Sequence, residues 1–428
     1  MQNYLLKQVM VADSTSAYHQ QVVDILIENG RITAIEGQIT APEGTKVLEF
    51  SECLATPGFI DIRCNSSDPG LEHRETFQSL AKAAQAGGFI KVTLLPNSRP
   101  VRQTKSDVEF VVNQNKQSPV EFLPLGAITL QMKDGDLAEM YDMQMSGAIG
   151  FANANNALQN AGTQSRALQY VKSFNGLIYS FCNDESIALN GQMAEGPVAV
   201  SLGMKGIPPM SEYLMVQREI ELADYHQTRV HITKVSTEKS VELIRQAKAQ
   251  GINVTADVAI MNLVLTDETL MEFDTNLKLS PPLRQASDVK ALWEGLADGT
   301  IDAICTDHHP QEIENKAVEF DYASFGAISI QIALSLAVEG RNRFHSSMTD
   351  EQLFDKLNHG PAALLNLPYN NIAVGNTAAI TVVNPHKQTI LNKQNNLSLS
   401  ANTYYFDKPL PYHIEATFNN TFMSLNHQ

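Results

Sequence analysis

The chain has 428 residues, 43% of them hydrophobic and 18% charged, which is ample for a buried core and ordinary for a globular protein. A formal net charge of −16 argues against nucleic acid and against an anionic membrane surface as partners. The opening Met1-Gln2-Asn3-Tyr4-Leu5-Leu6-Lys7 has no basic stretch leading into an apolar one, and no run is long enough to span a bilayer. No signal peptide or membrane anchor is expected, and a cytoplasmic location is the default.

To about Ala55 the chain reads as β-rich and full of turns. Segments 21–27 and 31–35 flank Glu28-Asn29-Gly30, where Asn-Gly is a strong hairpin signal, and 46–50 adds another strand. From Gly58 the pattern changes to strands alternating with amphipathic helices. Strand cores are expected at 59–62, 90–95, 120–125, 148–151, 177–181, 230–233, 252–258 and 301–306. Helices are expected between them, at 76–85, 211–227, 237–249 and 288–296 among others. In 237–249, Val241, Ile244 and Ala247 recur every third residue and form one apolar stripe for a sheet. This alternation predicts a (β/α)8 TIM barrel, in which the loops after the strands carry the chemistry.

After about Pro361 the β character returns at 378–383 and 413–418, with a polar tract at 392–402 between them. The two chain ends are therefore expected to pair into a small β-sandwich domain. Residues 1–56 and 366–428 would form it, around a barrel at 57–365. Cys53, Cys64, Cys182 and Cys305 include no Cys-x-x-Cys pair and are expected to be free thiols filling apolar space.

The most informative stretch is Asp61-Ile62-Arg63-Cys64-Asn65, which follows the apolar run Thr56-Pro57-Gly58-Phe59-Ile60. A strand of this shape, Pro-Gly-Phe-Ile-Asp and then a polar loop, resembles the one on which amidohydrolases present His-x-His to a metal. The resemblance continues in order through Pro96-Asn97-Ser98-Arg99-Pro100, Val235-Ser236-Thr237, Val254-Thr255, Asp274-Thr275-Asn276 and Ser280-Pro281-Pro282-Leu283-Arg284. Its most specific part runs from Asp298-Gly299-Thr300 to Cys305-Thr306-Asp307-His308, and Gly360-Pro361-Ala362-Ala363-Leu364-Leu365 closes it. On these residues the chain resembles the dihydroorotases of multifunctional pyrimidine-synthesis complexes, within the amidohydrolase superfamily.

The resemblance implies zinc held by two histidines after strand 1, an aspartate after strand 4, histidines at strands 5 and 6 and an aspartate after strand 8. Such a metal turns bound water into a nucleophile near neutral pH. Taken position by position, those places hold Arg63 and Asn65, Asn153, Phe181, Lys234 and Asp307, and the arginine that grips the substrate carboxylate falls on Ser67. Arginine has no lone pair to donate, and one carboxylate does not hold zinc. No family-type metal and no other cofactor are expected. Because an unpaired buried carboxylate is costly, Arg63 or Lys234, projecting from strands 1 and 6 into the same mouth, is expected to form an ion pair with Asp307.

Asp307 is the catalytic candidate if the chain is active. Asn97 and Asn276 match the family's substrate-contacting asparagines, and with His308, Arg63 and Lys234 they are the candidate substrate contacts. His308 and His309 suggest a metal, but Gln311 stands where a further histidine would help, and neighbours on a strand end point apart. A loop role is favoured for both; His231 is expected as a satisfied core histidine and His73 as exposed. The resemblance thus implies a catalytically silent dihydroorotase homologue, a structural or regulatory partner of aspartate carbamoyltransferase, and a homo-oligomer. A cyclic-amide hydrolase with weak, metal-independent activity and an anion-binding sensor are the alternatives.

Overall fold

The computed structural model describes residues 2–426, so Met1, the first residue of the N-terminal segment read above, lies outside them. Strands Val22–Glu28 and Arg31–Glu36 pair antiparallel with Glu28 opposite Arg31. The two residues between them, Asn29 at φ 51° and Gly30 at φ 75°, both lie in the left-handed region. That conformation matches the twist of the flanking strands and explains the Asn-Gly pair.

Strand Asn3–Val11, which the sequence pattern does not isolate, lies inside the sheet, between the hairpin and Thr45–Glu49 and Leu54–Pro57. Leu54–Pro57 also pairs antiparallel with Ala379–Ile390, Ile380 opposite Pro57, and Pro409–Asn419 and Phe422–Leu425 extend the sheet. Both chain ends therefore share one eight-stranded sheet, and Val9, Ile25, Ile380 and Phe418 meet in its core.

Between them the barrel strands, numbered 1 to 8, are Phe59–Cys64, Phe89–Leu94, Glu121–Ala127, Gly150–Ala152, Ile178–Phe181, Val230–Thr233, Val254–Ala259 and Ala303–Cys305. They are parallel and neighbour one another in chain order. Every expected strand is present to within a few residues, because strands covered on both faces read as continuous apolar runs. Strands 8 and 1 meet through an isolated bridge, Cys64 to His308, so this seam has the least backbone pairing.

The helices follow local rules. Thr76 caps helix Phe77–Ala86 in a box with Ser79, and helix Glu238–Ala249 buries Val241, Ile244 and Ala247 as its spacing predicts. The polar tract 392–402 departs from its simple assignment to the terminal β domain. Ser398, Ser400 and Asn402 are buried, and Asn402 Nδ2 donates to the carbonyls of His309 at 3.0 Å and Gly326 at 3.1 Å. It lies as a strap over loops at the barrel mouth. Among the described residues no helix is long and apolar enough to cross a membrane.

Candidate functional site

Barrel strand 1 carries Arg63, Lys234 follows strand 6, and Asp307 lies two residues beyond strand 8. Lys234 and Asp307 have φ of 57° and 46°, a left-handed backbone that costs a non-glycine residue about 1 kcal/mol or more. Their side chains converge. Asp307 Oδ1 accepts from Arg63 Nε at 3.3 Å, and Oδ2 accepts from Lys234 Nζ at 3.1 Å. The expected ion pair is present twice over.

Asn155, after strand 4, joins the two cations from the other side. Its Oδ1 accepts from Arg63 Nη2 at 2.6 Å and from Lys234 Nζ at 2.8 Å. Arg63 Nη2 also reaches the Ala154 carbonyl, and Lys234 Nζ that of Ser280. The Phe181 ring faces both cations, 4.8 Å from Lys234 Nζ and 5.9 Å from Arg63 Cζ. A negative ring face and an amide oxygen thus offset the second positive charge that one carboxylate leaves unbalanced. The Arg63 and Lys234 side chains are 0% exposed and Asp307 is 14% exposed. Burial pushes the Lys234 ammonium down to about 8, with Asp307 opposing the shift and Arg63 reinforcing it. Arg63 Nη1 is buried with no partner.

Beneath this cluster lie two buried carboxyl groups. Asp61 accepts from Thr306 N at 2.9 Å and Thr306 Oγ1 at 2.6 Å, and burial raises it to about 7. Asp257 is held below the usual carboxylate range. Burial alone would raise it, but hydrogen bonds from His231 Nε2 at 2.8 Å and the Lys234 amide at 2.7 Å prevail. His231 Nδ1 faces Thr255 Oγ1 at 3.0 Å, so this ring is a satisfied core histidine. All four cysteines are free and buried, and burial raises each thiol, which makes them poor nucleophiles.

The other expected site residues are placed differently. Asn97 Nδ2 donates to Asn65 Oδ1 at 3.0 Å and its Oδ1 accepts from Ser66 N, so it braces the strand 1 loop. Asn153 is tied to Thr129 Oγ1 at 2.7 Å and to the amides of Ile128 and Thr129. His308 is buried outside the charged cluster; its Nδ1 accepts from Ser329 N at 3.1 Å and its Nε2 lies 3.3 Å from Glu75. Asn276 is half-buried on the wall of a separate cavity of about 630 Å³, beside Lys316, Gln311 and Asn402. Ser67 is buried, and His73 is exposed as expected.

Three supports went unnoticed in the sequence. Asn155 is one asparagine among several, Glu75 receives His308 and Ser398 beneath the strap, and Arg102 donates to the carbonyls of Leu94, Leu95 and Leu125. Only Asn155 had a signal, its position in an asparagine-rich loop where a carboxylate was expected.

A parallel eight-stranded barrel with a β domain from both chain ends, and reacting positions at the strand C-termini, is the architecture of the amidohydrolase class. Residues 190–409 match the family model described as the amidohydrolase family, and residues 53–240 match the one described as dihydro-orotase-like. A dihydroorotase of Syntrophus aciditrophicus is 36% identical over 94% of each chain. One of Pelotomaculum thermopropionicum is 41% identical over 85% of this chain and 84% of its own. The chain belongs to the dihydroorotase family. In fold it matches an L-hydantoinase of Arthrobacter aurescens at a TM-score of 0.86 and 21% identity, covering 100% of this chain and 98% of that one. A dihydropyrimidinase of Brevibacillus agri gives 0.82 and 18%, covering 99% and 95%.

The zinc that this family implies does not fit the side chains at its positions. Arg63 and Lys234 bring positive charge, Phe181 brings no donor, and both oxygens of Asp307 already bind cations. Among the described residues no three or more His, Cys, Asp or Glu side chains are grouped to hold a metal.

Proposed function

We propose that this chain is a dihydroorotase homologue that has lost its zinc ligands and serves as a non-catalytic structural or regulatory partner of aspartate carbamoyltransferase. The supporting observation is the Arg63–Asp307–Lys234 cluster. In the family's chemistry the carboxylate at the Asp307 position moves a proton of metal-bound water. Here the two oxygens of that carboxylate accept hydrogen bonds from two buried cations, at 3.3 Å from Arg63 and 3.1 Å from Lys234, in place of a metal and its water. A barrel with this arrangement keeps its outer surface and loses its hydrolytic centre.

Native purification of the tagged chain from its own cells, followed by gel filtration, tests the partner assignment. The expected result is coelution with transcarbamoylase activity, and elution free of that activity would refute the assignment. A second reading, a mouth that binds a small anion without turnover, is favoured by the unpartnered Nη1 of Arg63. In that case dihydroorotate or carbamoyl aspartate would raise the melting temperature, and Arg63→Gln would abolish the rise.

A further inference from the structure

The opposite end of the barrel has a polar cavity that the chemistry of the mouth leaves unexplained. Its wall is formed by residues just before strands 5 to 8, among them Leu177, Arg229, Asn253 and Asp302, together with Lys356 and Asp355. The volume is about 570 Å³, within the range of small-molecule sites. This end of a (β/α)8 barrel ordinarily serves stability.

The charges in the cavity are not paired with one another. Asp302 takes Lys248 Nζ at 2.7 Å and the Ala256 amide at 2.7 Å, and Asp355 takes His359 Nδ1 at 2.9 Å. Both acids are thus occupied from outside. Arg229 uses Nη2 on the Asn175 carbonyl at 3.1 Å, and its Nε is buried without a partner. Lys356 donates to the Ile301 carbonyl at 2.8 Å, which leaves two of its three protons free. Burial lowers the pKa of both cations, and at Lys356 the nearby carboxylates, Asp302 first, oppose that shift without reversing it.

We infer that this cavity is a binding site for a small anion carrying a carboxylate or phosphate group, held by Arg229 and Lys356. A guanidinium and an ammonium that each give one hydrogen bond to a backbone carbonyl keep further N–H donors for such groups, and those bonds are strengthened by charge on both sides. Asn253 lines the same cavity and brings a side-chain amide to it. The site is separate from the mouth, and it does not depend on whether the chain is catalytic.

Calorimetric titration of the full chain with inorganic phosphate and with succinate, at fixed ionic strength with chloride as control, tests the inference. Saturable binding of either anion is expected, and which one binds identifies the group. The double variant Arg229→Gln, Lys356→Gln should weaken it at least about tenfold. Asn253→Asp, which adds a negative charge at the rim and leaves both cations in place, should weaken it as well. Binding of neither anion would overturn the inference, and so would binding that persists unchanged in both variants.

Discussion

Lys234 is the residue on which the cluster's pH behaviour turns. In the unfolded chain its ammonium keeps its proton to about the ordinary 10.5, whereas in the folded chain burial lowers it to about 8. Between those values the unfolded state holds more protons, so the free energy of unfolding rises with pH across that window. Urea titrations from pH 7.5 to 10 should show that rise in the native chain and a smaller one in Lys234→Gln, and equal slopes would contradict the assignment. At pH 7, Asp307→Asn leaves two buried cations without a counter-charge and should cost about 3–5 kcal/mol, whereas Lys234→Gln leaves the Arg63–Asp307 pair in place and should cost less. The double variant should cost less than their sum, since the two residues share one interaction. Arg63 and Lys234 were legible in the sequence because each stands where the motif requires a ligand, and a buried carboxylate requires a counter-charge. Asn155 was not, since the choice among neighbouring asparagines depends on how the loop closes in three dimensions.

At the scale of elements, the seam between strands 8 and 1 is the feature with a measurable consequence. Its backbone contact is an isolated bridge, and Asp61 supplements it through two hydrogen bonds from Thr306. Asp61→Ala would leave the Thr306 amide and hydroxyl unsatisfied in the barrel interior, at a cost of about 2–4 kcal/mol in equilibrium unfolding. The pH dependence has the opposite sign to that of Lys234. Asp61 is raised from 3.8 to about 7, so between those values the folded state holds the extra proton and stability falls as pH rises. Asp61→Asn should flatten that decline, and an unchanged slope in chemical denaturation would show that another group causes it. Barrel strands and the Asn-Gly hairpin were readable because their periodicity and turn chemistry are local. The strap at 392–402 was not, because polar residues are buried there through long-range partners such as Glu75, and a polar tract by itself reads as surface.

Over the whole molecule, the retained and the altered parts separate cleanly. The barrel and the β domain are present, whereas at the barrel mouth Arg63, Lys234, Asn155 and Phe181 surround Asp307. A single substitution would leave room for a different metal geometry; a site already neutralised by its own side chains does not. The most direct measurement is zinc analysis of the purified chain after incubation with excess zinc and desalting, alongside dihydroorotate hydrolysis by the same sample. The cluster predicts zinc far below one equivalent per chain and no turnover above the uncatalysed rate. One tightly held equivalent together with turnover would contradict it.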